Sequence, residues 1–275
     1  MVSEEPIFLK SSKLISLICL LVNPFIIGTV SCSTLVTGLT TGFFGASSVV
    51  TLFPDVIRFE PIDPVTVLAE DEVVTVTPGP APTKGDVVPH ESGTTLRLLL
   101  PVAASICNNV DVDAKGRLPD RPLEPMLSEM KAHRVIFSQD KPPFTMTGRL
   151  QGGNFSMVGD VSSQFFSGLL LAAPQIGLST ITSTTPLQSS DYVTLTTETM
   201  RDFGVEVEHT LPDTNINEAF TVPFGASFIG RDNYQIEGDW SNAAIWMIAA
   251  GMTGKPITIT GMNKNSVQAD RRIMQ

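Results

Sequence analysis

Two consecutive serines, Ser162 and Ser163, stand at the head of a long apolar run and are well suited to hold an anion. They belong to the polar stretch 159–164, and the apolar run after it is predicted to stop at Pro174. This order predicts a buried helix whose exposed start carries the serine hydroxyls. Free backbone N–H groups and the positive end of the helix dipole gather at the same place, so a phosphate could bind there without a metal ion. The alternative is that the serines only cap the helix.

The same order of a polar start and an apolar run recurs along the chain. The starts lie near Ser12, Ser92, Ser162 and Ser241, at intervals of roughly 70 to 80 residues, and the copy at Ser12 is the weakest. Solenoid repeats are shorter than this, at about 20 to 50 residues. The interval therefore predicts a repeated α/β subdomain, in which each polar start opens a helix.

The composition limits the kinds of partner and site. The chain has 275 residues, enough for one large domain or two smaller ones, and its net charge of −10 argues against a nucleic-acid surface. An anionic ligand would need a local group of Lys and Arg side chains. Cys19, Cys32 and Cys107 lack C-x-x-C spacing and indicate buried thiols in a reducing compartment. No two of the three histidines have metal-ligand spacing, so we expect no metal site.

The apolar run 14–30 admits two interpretations. It follows Lys10 and Lys13, as a signal peptide or membrane anchor would, and that interpretation makes the chain an exported or anchored binding protein without enzymatic activity. Acidic residues near the start of the chain and the breaks at Pro24 and Gly28 argue against it. We therefore expect a core helix, no membrane partner and a cytoplasmic chain.

Local patterns predict the elements that position the helix starts. Helices are predicted over 47–57, 123–133 and 192–203, the last of which ends at Gly204. The proline-rich stretch 116–122 is predicted to be irregular, and 210–229 to be a connection. Strands are predicted over 29–39, 57–60, 70–77, 109–113, 135–138, 144–150, 179–182, 205–208 and 256–260.

The fourth unit of the repeat is shorter than the others. After the helix that starts near Ser241, the stretch 265–270 opens a second helix, and the sequence stops at Gln275. A packed domain is not expected to end one turn into an amphipathic helix. We therefore expect the chain to be a fragment of a longer protein.

Seven segments of the sequence resemble the enolpyruvyl transferases, in the order in which that family has them. The similarity covers roughly 84–275 and is greatest to the members of the family that act on shikimate 3-phosphate. Each segment is weak alone, but seven in the right order are a strong indication. The segments are 91–97, 117–122, 148–151, 159–165, 192–205, 237–239 and 265–270.

The resemblance implies an α/β fold of repeated βαβαββ units. In the family, six such units form two domains of the inside-out barrel type, which close over the substrates. The implied division of this chain places 11–232 in a three-unit substrate-binding domain. Residues 1–10 and 233–275 then belong to a second domain that is incomplete.

The resemblance also implies the activity. The family members concerned transfer the enolpyruvyl group of phosphoenolpyruvate to the 5-hydroxyl of shikimate 3-phosphate and release phosphate, through a tetrahedral intermediate. They use no metal or organic cofactor, and the expected protein is a cytoplasmic monomer. The alternative within the family is the enzyme that acts on UDP-N-acetylglucosamine. That enzyme usually has a reactive Cys just before an Arg-Pro pair, whereas this chain has Asp120 before Arg121.

The family's binding residues can be carried over where the motifs match. The resemblance implies that Ser162, Ser163 and Ser189 hold the phosphate of shikimate 3-phosphate. Gln164 and Tyr192 would lie against its ring, and Lys13, Gly93 and Arg121 would face phosphoenolpyruvate. Three further candidates are Arg97, Arg117 and Asp239. The alternatives are an ion-paired or surface role for Arg97, a core role for Tyr192 and a solvated loop position for Arg117.

Some family positions are altered or lie beyond the sequence. The family's opening motif has Ser and Arg where this chain has Leu14 and Ile18, and its acidic stretch is replaced by 41–44. The catalytic Asp and Glu, with further Arg and Lys ligands of phosphoenolpyruvate, are expected in the family's last third. No catalytic residue of this chain is therefore assigned.

Overall fold

A computed structural model describes five early strands and then nearly all of the chain from Lys84. The described residues are 28–32, 36–37, 57–60, 66–70, 73–77, 84–213, 217–231 and 233–275. The core helix expected at the start of the apolar run 14–30, most of the helix predicted over 47–57, and the positions Lys13, Leu14 and Ile18 lie outside them. The early strands are β1 Gly28–Cys32, β2 Val36–Thr37, β3 Ile57–Glu60, β4 Thr66–Glu70 and β5 Val73–Thr77.

One complete unit follows these strands. Its parallel strands β6 and β7 are joined by helix α1, and a shorter helix, α2, leads to the hairpin of β8 and β9. Strand β3 adds to the edge, giving a five-stranded sheet of order β3-β6-β7-β9-β8. The elements are β6 Lys84–Val87, α1 Gly93–Ile106, β7 Asn109–Val112, α2 Met126–Ala132, β8 Ile136–Phe137 and β9 Phe144–Thr147.

The next unit repeats the same plan. Parallel strands β10 and β11 are joined by helix α3, and helix α4 leads to the antiparallel pair of β12 and β13. The sheet order is β10-β11-β13-β12, which matches β6-β7-β9-β8 strand for strand. The elements are β10 Gly153–Met157, α3 Ser163–Ile176, β11 Ser179–Ser183, α4 Ser190–Asp202, β12 Glu208–Thr210 and β13 Glu218–Val222.

The last part of the chain pairs with the first strands. Strand β14 (Asn233–Ile236) runs parallel to β1, with Thr29 opposite Asn233, in a sheet of order β14-β1-β5-β4. Helix α5 (Trp240–Thr253) follows, and then β15 (Thr258–Ile259), which pairs with β2. A 3-10 helix at Ala269–Met274 completes the described chain.

Helices α1 and α3 form the centre of the core and pack closely against each other. A Cβ atom built on Gly168 of α3 would lie 2.4 Å from the backbone oxygen of Arg97 and 3.3 Å from the ring of Pro101. Since carbon and oxygen cannot approach to that distance, the contact requires glycine. Pro101 has no N–H to donate to the Arg97 carbonyl, so that carbonyl is free to face the neighbouring helix. The close approach brings the first turns of α1 and α3 together.

The repeated α/β plan predicted from the sequence is confirmed, and several local predictions need correction. Helix α3 continues through Pro174 to Ile176, because a proline in the last turn removes one N–H without ending the helix. The stretch predicted as a strand over 205–208 is mostly irregular, since β12 begins at Glu208. The predicted connection 210–229 contains β13, and the irregular stretch 116–122 contains a short 3-10 helix, Leu118–Asp120.

Candidate functional site

The first turn of α3 presents two hydroxyls with different local roles. Ser162 is the N-cap, in extended conformation, and its Oγ accepts a hydrogen bond of 3.3 Å from the backbone N–H of Gln164. Ser163 begins the helix and its side chain is nearly buried. The Ser163 hydroxyl has no hydrogen-bond partner among the residues with described side chains. The helix start therefore keeps donor capacity available for an anion.

Arg97 of α1 joins this helix start to the neighbouring loop. Its Nη1 donates to Gln164 Oε1 at 3.2 Å and lies 3.4 Å from Ser162 Oγ, while Nη2 donates to the Pro122 carbonyl at 3.1 Å. The guanidinium also lies over the ring of Phe165, 5.2 Å from its centroid. All of these partners are neutral. The positive charge is therefore positioned firmly and is not neutralised by them.

Two further observations make the Arg97 side chain suited to bind an anion. Its Nε is buried and has no hydrogen-bond partner among the described residues. Burial, and secondarily the charge of Arg121, lowers the pKa of Arg97 from its usual high value. A guanidinium stays protonated at neutral pH even so. The lowered pKa indicates that the charged form is under-solvated, and a bound anion would relieve this.

Arg121 lies next to the start of α1. A Cβ atom on Gly93 would stand 3.1 Å from Arg121 Nη1, so glycine allows the guanidinium to lie along the helix start. Within the part of the chain whose side chains are described, no carboxylate is paired with Arg121 or Arg117. Both side chains are exposed, and a ligand with negative charge could reach them.

The opposite wall of the site comes from α4, α5 and the final 3-10 helix. Ser189, which precedes α4, has a left-handed backbone (φ 56°) and makes no capping hydrogen bond with its side chain, so its hydroxyl is free to turn into the site. Tyr192 is half-buried. Burial, followed by the charge of Asp270, raises the pKa of Tyr192, so the phenol remains protonated at neutral pH.

Asp239 has a structural role that its residue type already suggests. It is the N-cap of α5, and its Oδ1 accepts hydrogen bonds from the backbone N–H groups of Ser241 at 2.8 Å and Asn242 at 3.1 Å. The residue is only 4% exposed. These bonds start α5 at a defined position and place Ser241 on the wall of the site.

A cavity of about 530 Å³ connects these walls. It brings together seven of the eleven candidate binding residues, and Gly93 and Arg121 lie beside it. Arg117 does not line it, and Lys13 lies outside the described residues. The predicted residues that line it are Arg97, Ser162, Ser163, Gln164, Ser189, Tyr192 and Asp239.

The cavity also has lining residues that were not among the candidate binding residues. Thr94 and Gln188 directly follow and precede the candidates Gly93 and Ser189, so proximity in sequence could have indicated them, whereas Ser92 and Ser241 were predicted only as helix starts. Thr94 accepts a hydrogen bond of 2.8 Å from Gln164 Nε2, which fixes the orientation of that amide. Asp270 lies in the stretch 265–270, which was predicted to open a helix and resembles the family, although the residue itself was not a candidate.

A second cavity, of about 640 Å³, has the opposite character. It lies at the end of β6 and β7 and is lined by Asp86, Asp111, Asp113 and His90 among others. Asp111 is held by a hydrogen bond of 2.8 Å from Thr145 and an ion pair of 3.2 Å with Lys84, which keep its pKa low. A phosphate would be repelled by three carboxylates, so the first cavity is the candidate anion site.

Comparison with known proteins identifies the family. The sequence profile of EPSP synthase (3-phosphoshikimate 1-carboxyvinyltransferase) matches residues 63–275. The chain belongs to the EPSP synthase family. It is 36% identical to the 3-phosphoshikimate 1-carboxyvinyltransferase of Clostridium kluyveri over 194 residues, which are 70% of this chain and 44% of the relative. The enzyme of that name from Methanoculleus marisnigri is 35% identical over 204 residues, 71% of this chain and 47% of the relative.

A comparison with solved structures also finds the fold of EPSP synthase. The chain matches the EPSP synthase of Acinetobacter baumannii with a TM-score of 0.55 and 20% identity, over 87% of this chain and 51% of that one. The chain thus spans about half the length of the relatives it matches. In the described part of the chain, no helix has the length and apolar character needed to cross a bilayer. The same residues contain no group of three or more His, Cys, Asp or Glu arranged to hold a metal ion.

Proposed function

We propose that the cavity between α3 and α5 binds shikimate 3-phosphate, and that the chain serves the EPSP synthase reaction. One observation carries the proposal. The start of α3, with the hydroxyls of Ser162 and Ser163, lies against the guanidinium of Arg97, whose described partners are all neutral. A phosphate at that place would receive backbone N–H groups, hydroxyls and a positive charge together.

The rest of the ligand would then lie along the opposite wall. The phosphate held at α3 places the cyclohexene ring between Gln164 and Tyr192, both of which line the cavity. Ser189 stands at the edge, where its hydroxyl can reach the phosphate. A ring of this size with its phosphate fits a cavity of about 530 Å³ with room for a second, smaller ligand.

Phosphoenolpyruvate would take the place beside Gly93 and Arg121. Arg121 lies within reach of the α1 start, and Gly93 lets an anion approach the backbone. Lys13 is assigned to the same ligand by family resemblance. The described residues bind and orient the two substrates, and we assign none of them to proton transfer.

The reaction itself joins the two ligands by addition and elimination. The 5-hydroxyl of shikimate 3-phosphate loses its proton as its oxygen bonds to C2 of phosphoenolpyruvate, and C3 of phosphoenolpyruvate gains a proton. Phosphate then leaves C2 as C3 loses a proton, which restores the double bond. Positively charged groups hold the two anionic substrates next to each other, and this proximity accounts for a large part of the rate enhancement of such a reaction.

The organisation of the molecule follows from the same proposal. Residues 11–232 would form the three-unit domain that carries the phosphate site. Residues 1–10 and 233–275 would belong to the second domain. We expect a cytoplasmic monomer that acts on free metabolites.

Calorimetric titration of the 275-residue chain with shikimate 3-phosphate tests the proposal. We expect saturable binding, weakened about a hundredfold in the double variant Ser162→Ala/Ser163→Ala, because two hydrogen bonds to a charged group are lost. Ser156→Ala, an exposed serine on β10, is the matched control and should bind like the parent.

Two results would contradict the proposal. One is a folded parent chain that shows no heat of binding with shikimate 3-phosphate. The other is binding that the double variant and the control retain equally. Phosphate release on addition of phosphoenolpyruvate then tests transfer separately, because binding without release would limit this chain to the binding step.

A further inference from the structure

The final 3-10 helix, Ala269–Met274, contacts both α4 and α5, which face each other across the cavity. Tyr192 near the start of α4, Ser241 in the first turn of α5 and Asp270 of the 3-10 helix all line the cavity. The Ser241 hydroxyl donates a short hydrogen bond to Asp270 Oδ2. Helix α4 belongs to the unit of β10 to β13, whereas α5 follows β14 of another sheet. The separation of α4 and α5 therefore depends on the contacts that join these two parts of the molecule.

The near end of the 3-10 helix is attached to the start of α5 through Gln268. This side chain is only 9% exposed. Its Oε1 accepts a hydrogen bond of 3.0 Å from the backbone N–H of Trp240, the first residue of α5. Its Nε2 donates to the Glu237 carboxylate at 2.8 Å and to the Gly238 carbonyl at 2.9 Å. Both N–H groups and the oxygen of the amide thus have partners, and this end of the segment is fixed relative to α5.

The far end of the 3-10 helix is attached to α4 by an ion pair. Arg272 Nη2 lies 2.7 Å from Oδ2 of Asp191, which is in the first turn of α4 and directly precedes Tyr192. The two side chains are 69% and 33% exposed, so the net effect of the pair is modest. Neither residue lines the cavity. Any effect of the pair on a ligand is therefore exerted through the positions of the elements that it joins.

We propose that Arg272 is a positioning residue whose ion pair with Asp191 holds α4 in place relative to α5 and so sets Tyr192 against the ring of the ligand. The inference rests on the proposed function, because shikimate 3-phosphate is the ligand that would contact both walls. Inorganic phosphate would need only the start of α3 and the guanidinium of Arg97 on the opposite wall. The ion pair should thus add affinity for the ring of the ligand and none for its phosphate.

The attachment at both ends has a physical consequence for binding. A 3-10 helix has poorer hydrogen-bond geometry than an α-helix and rarely exceeds four residues, so the six-residue segment is weakly held by its own backbone. Attached through Gln268 alone, it would move with α5. The Arg272 contact makes α4 part of the same assembly. A ligand that touches two walls binds more tightly when their separation is already set, because less ordering accompanies binding.

The first test is calorimetric titration of the full chain with shikimate 3-phosphate and with inorganic phosphate. We expect Arg272→Gln to bind shikimate 3-phosphate about threefold more weakly and inorganic phosphate unchanged. Arg272→Lys keeps the positive charge and should recover most of the lost affinity. Arg201→Gln removes an exposed arginine at the other end of α4 and is the matched control, so it should bind both ligands like the parent.

Asp191→Asn completes a double-mutant cycle. Without the Asp191 charge, Arg272→Gln should weaken shikimate 3-phosphate binding no further, because the arginine acts through that carboxylate. Three results would overturn the inference while the parent still binds shikimate 3-phosphate. They are full affinity of Arg272→Gln for shikimate 3-phosphate, an equal loss for inorganic phosphate, and additive losses in the double variant.

Hydrogen exchange tests the contact without a ligand. In Asp191→Asn the sequence of the 3-10 helix is unchanged and only its contact with α4 is lost. We expect the backbone amides of 269–274 to exchange faster than in the parent, and equal exchange would overturn the inference. A parent chain that does not bind shikimate 3-phosphate would overturn the proposed function, and with it the effect of Arg272 on the ligand. The exchange result and the parent titration thus separate the two failures.

Discussion

Arg97 shows what a residue type can and cannot reveal. The family resemblance made it a candidate, but the sequence left a surface or ion-paired role open. Within the described residues its guanidinium bonds to oxygens of Gln164, Ser162 and Pro122, none of them charged. These partners are 25 to 67 positions away along the chain, and no local pattern encodes such distances.

Cys107 makes stability depend on pH. The residue is fully buried, and burial raises the pKa of its thiol to about 12, with the charge of Arg149 partly opposing this. In the unfolded chain a thiol titrates near 8.5. Between about pH 9 and pH 12 the unfolded state therefore loses this proton while the folded state keeps it. The free energy of unfolding should fall by about 1.4 kcal/mol per pH unit from this group alone.

Urea unfolding at pH 8 and pH 10, for the parent and for Cys107→Ala, isolates the effect. Lysines and tyrosines titrate in both proteins, so their contributions cancel in the comparison. We expect the parent to lose more stability than the variant between the two pH values. An equal loss in both proteins would show that the Cys107 thiol is not the cause.

At the scale of elements, the contact between α1 and α3 determines the site. Gly168 lets the helices approach until Arg97 of one reaches the N-cap of the other. The helix starts themselves were predictable, because Ser92 and Ser162 cap α1 and α3 as their sequence context indicated. The crossing of the two helices was not predictable, since glycine inside a helix has several possible causes.

Gly168→Ala tests the importance of this contact. A methyl group 2.4 Å from the Arg97 carbonyl must push the helices apart, so we expect unfolding free energy to fall by about 1–3 kcal/mol. Gly251→Ala in α5 is the matched control, because its added methyl meets no atom within 4 Å. The control should be neutral or up to about 1 kcal/mol more stable. Equal urea midpoints for both variants would contradict the close contact.

The errors in the element predictions have a common physical origin. Strand β13 has the sequence Glu-Ala-Phe-Thr-Val, in which polar and apolar residues largely alternate. It lies within the stretch 210–229, whose prolines and glycine suggest a loop. The irregular segment 205–207 has strand-like residues, yet pairing begins only at Glu208, opposite Thr221. In both segments, pairing with a neighbouring strand determines whether the backbone forms a strand. Strand propensity reflects such pairing more than an intrinsic preference of the residues.

At the scale of the whole molecule, α5 presents an uncharged surface. Its fourteen residues contain no charged side chain, and only Trp240 and Ala243 are buried. Ile245, Trp246, Ile248 and Met252 are between 46% and 83% exposed. A contiguous apolar surface of this kind is uncommon on a soluble monomer and favours association or dye binding.

Replacing two of these side chains by lysine should remove that tendency. Ile245 and Met252 are seven positions apart and so lie on one helix face. We expect Ile245→Lys/Met252→Lys to lower the fluorescence of an apolar dye and any concentration-dependent association seen by sedimentation. Because neither side chain is buried, the unfolding free energy should change by less than about 0.5 kcal/mol. Asn154→Lys/Ser156→Lys, which adds the same charge at two exposed positions of β10, should leave the dye signal unaltered. An equal decrease would point to net charge as the cause.

The repeated unit of the fold was predictable from the sequence, but the pairing of strands between distant segments was not. Four polar helix starts at nearly equal intervals predicted the repeat, because each unit buries the apolar side of its helix against a sheet and so shows the same sequence pattern. The order of strands in each sheet and the parallel pairing of β1 with β14 follow from chain reversals that no single segment determines. The meeting of Tyr192, Ser241 and Asp270 depends on that assembly.

The left-handed backbone at Ser189 bears on how the protein could be engineered. A side chain other than glycine in that conformation costs about 1 kcal/mol or more, and Gly or Asn would relieve the cost. Selection for heat resistance alone should therefore replace this serine early and discard a hydroxyl at the edge of the cavity. Thermostable descendants obtained in that way would lose ligand affinity as they gained stability, so a library meant to keep both should hold position 189 fixed.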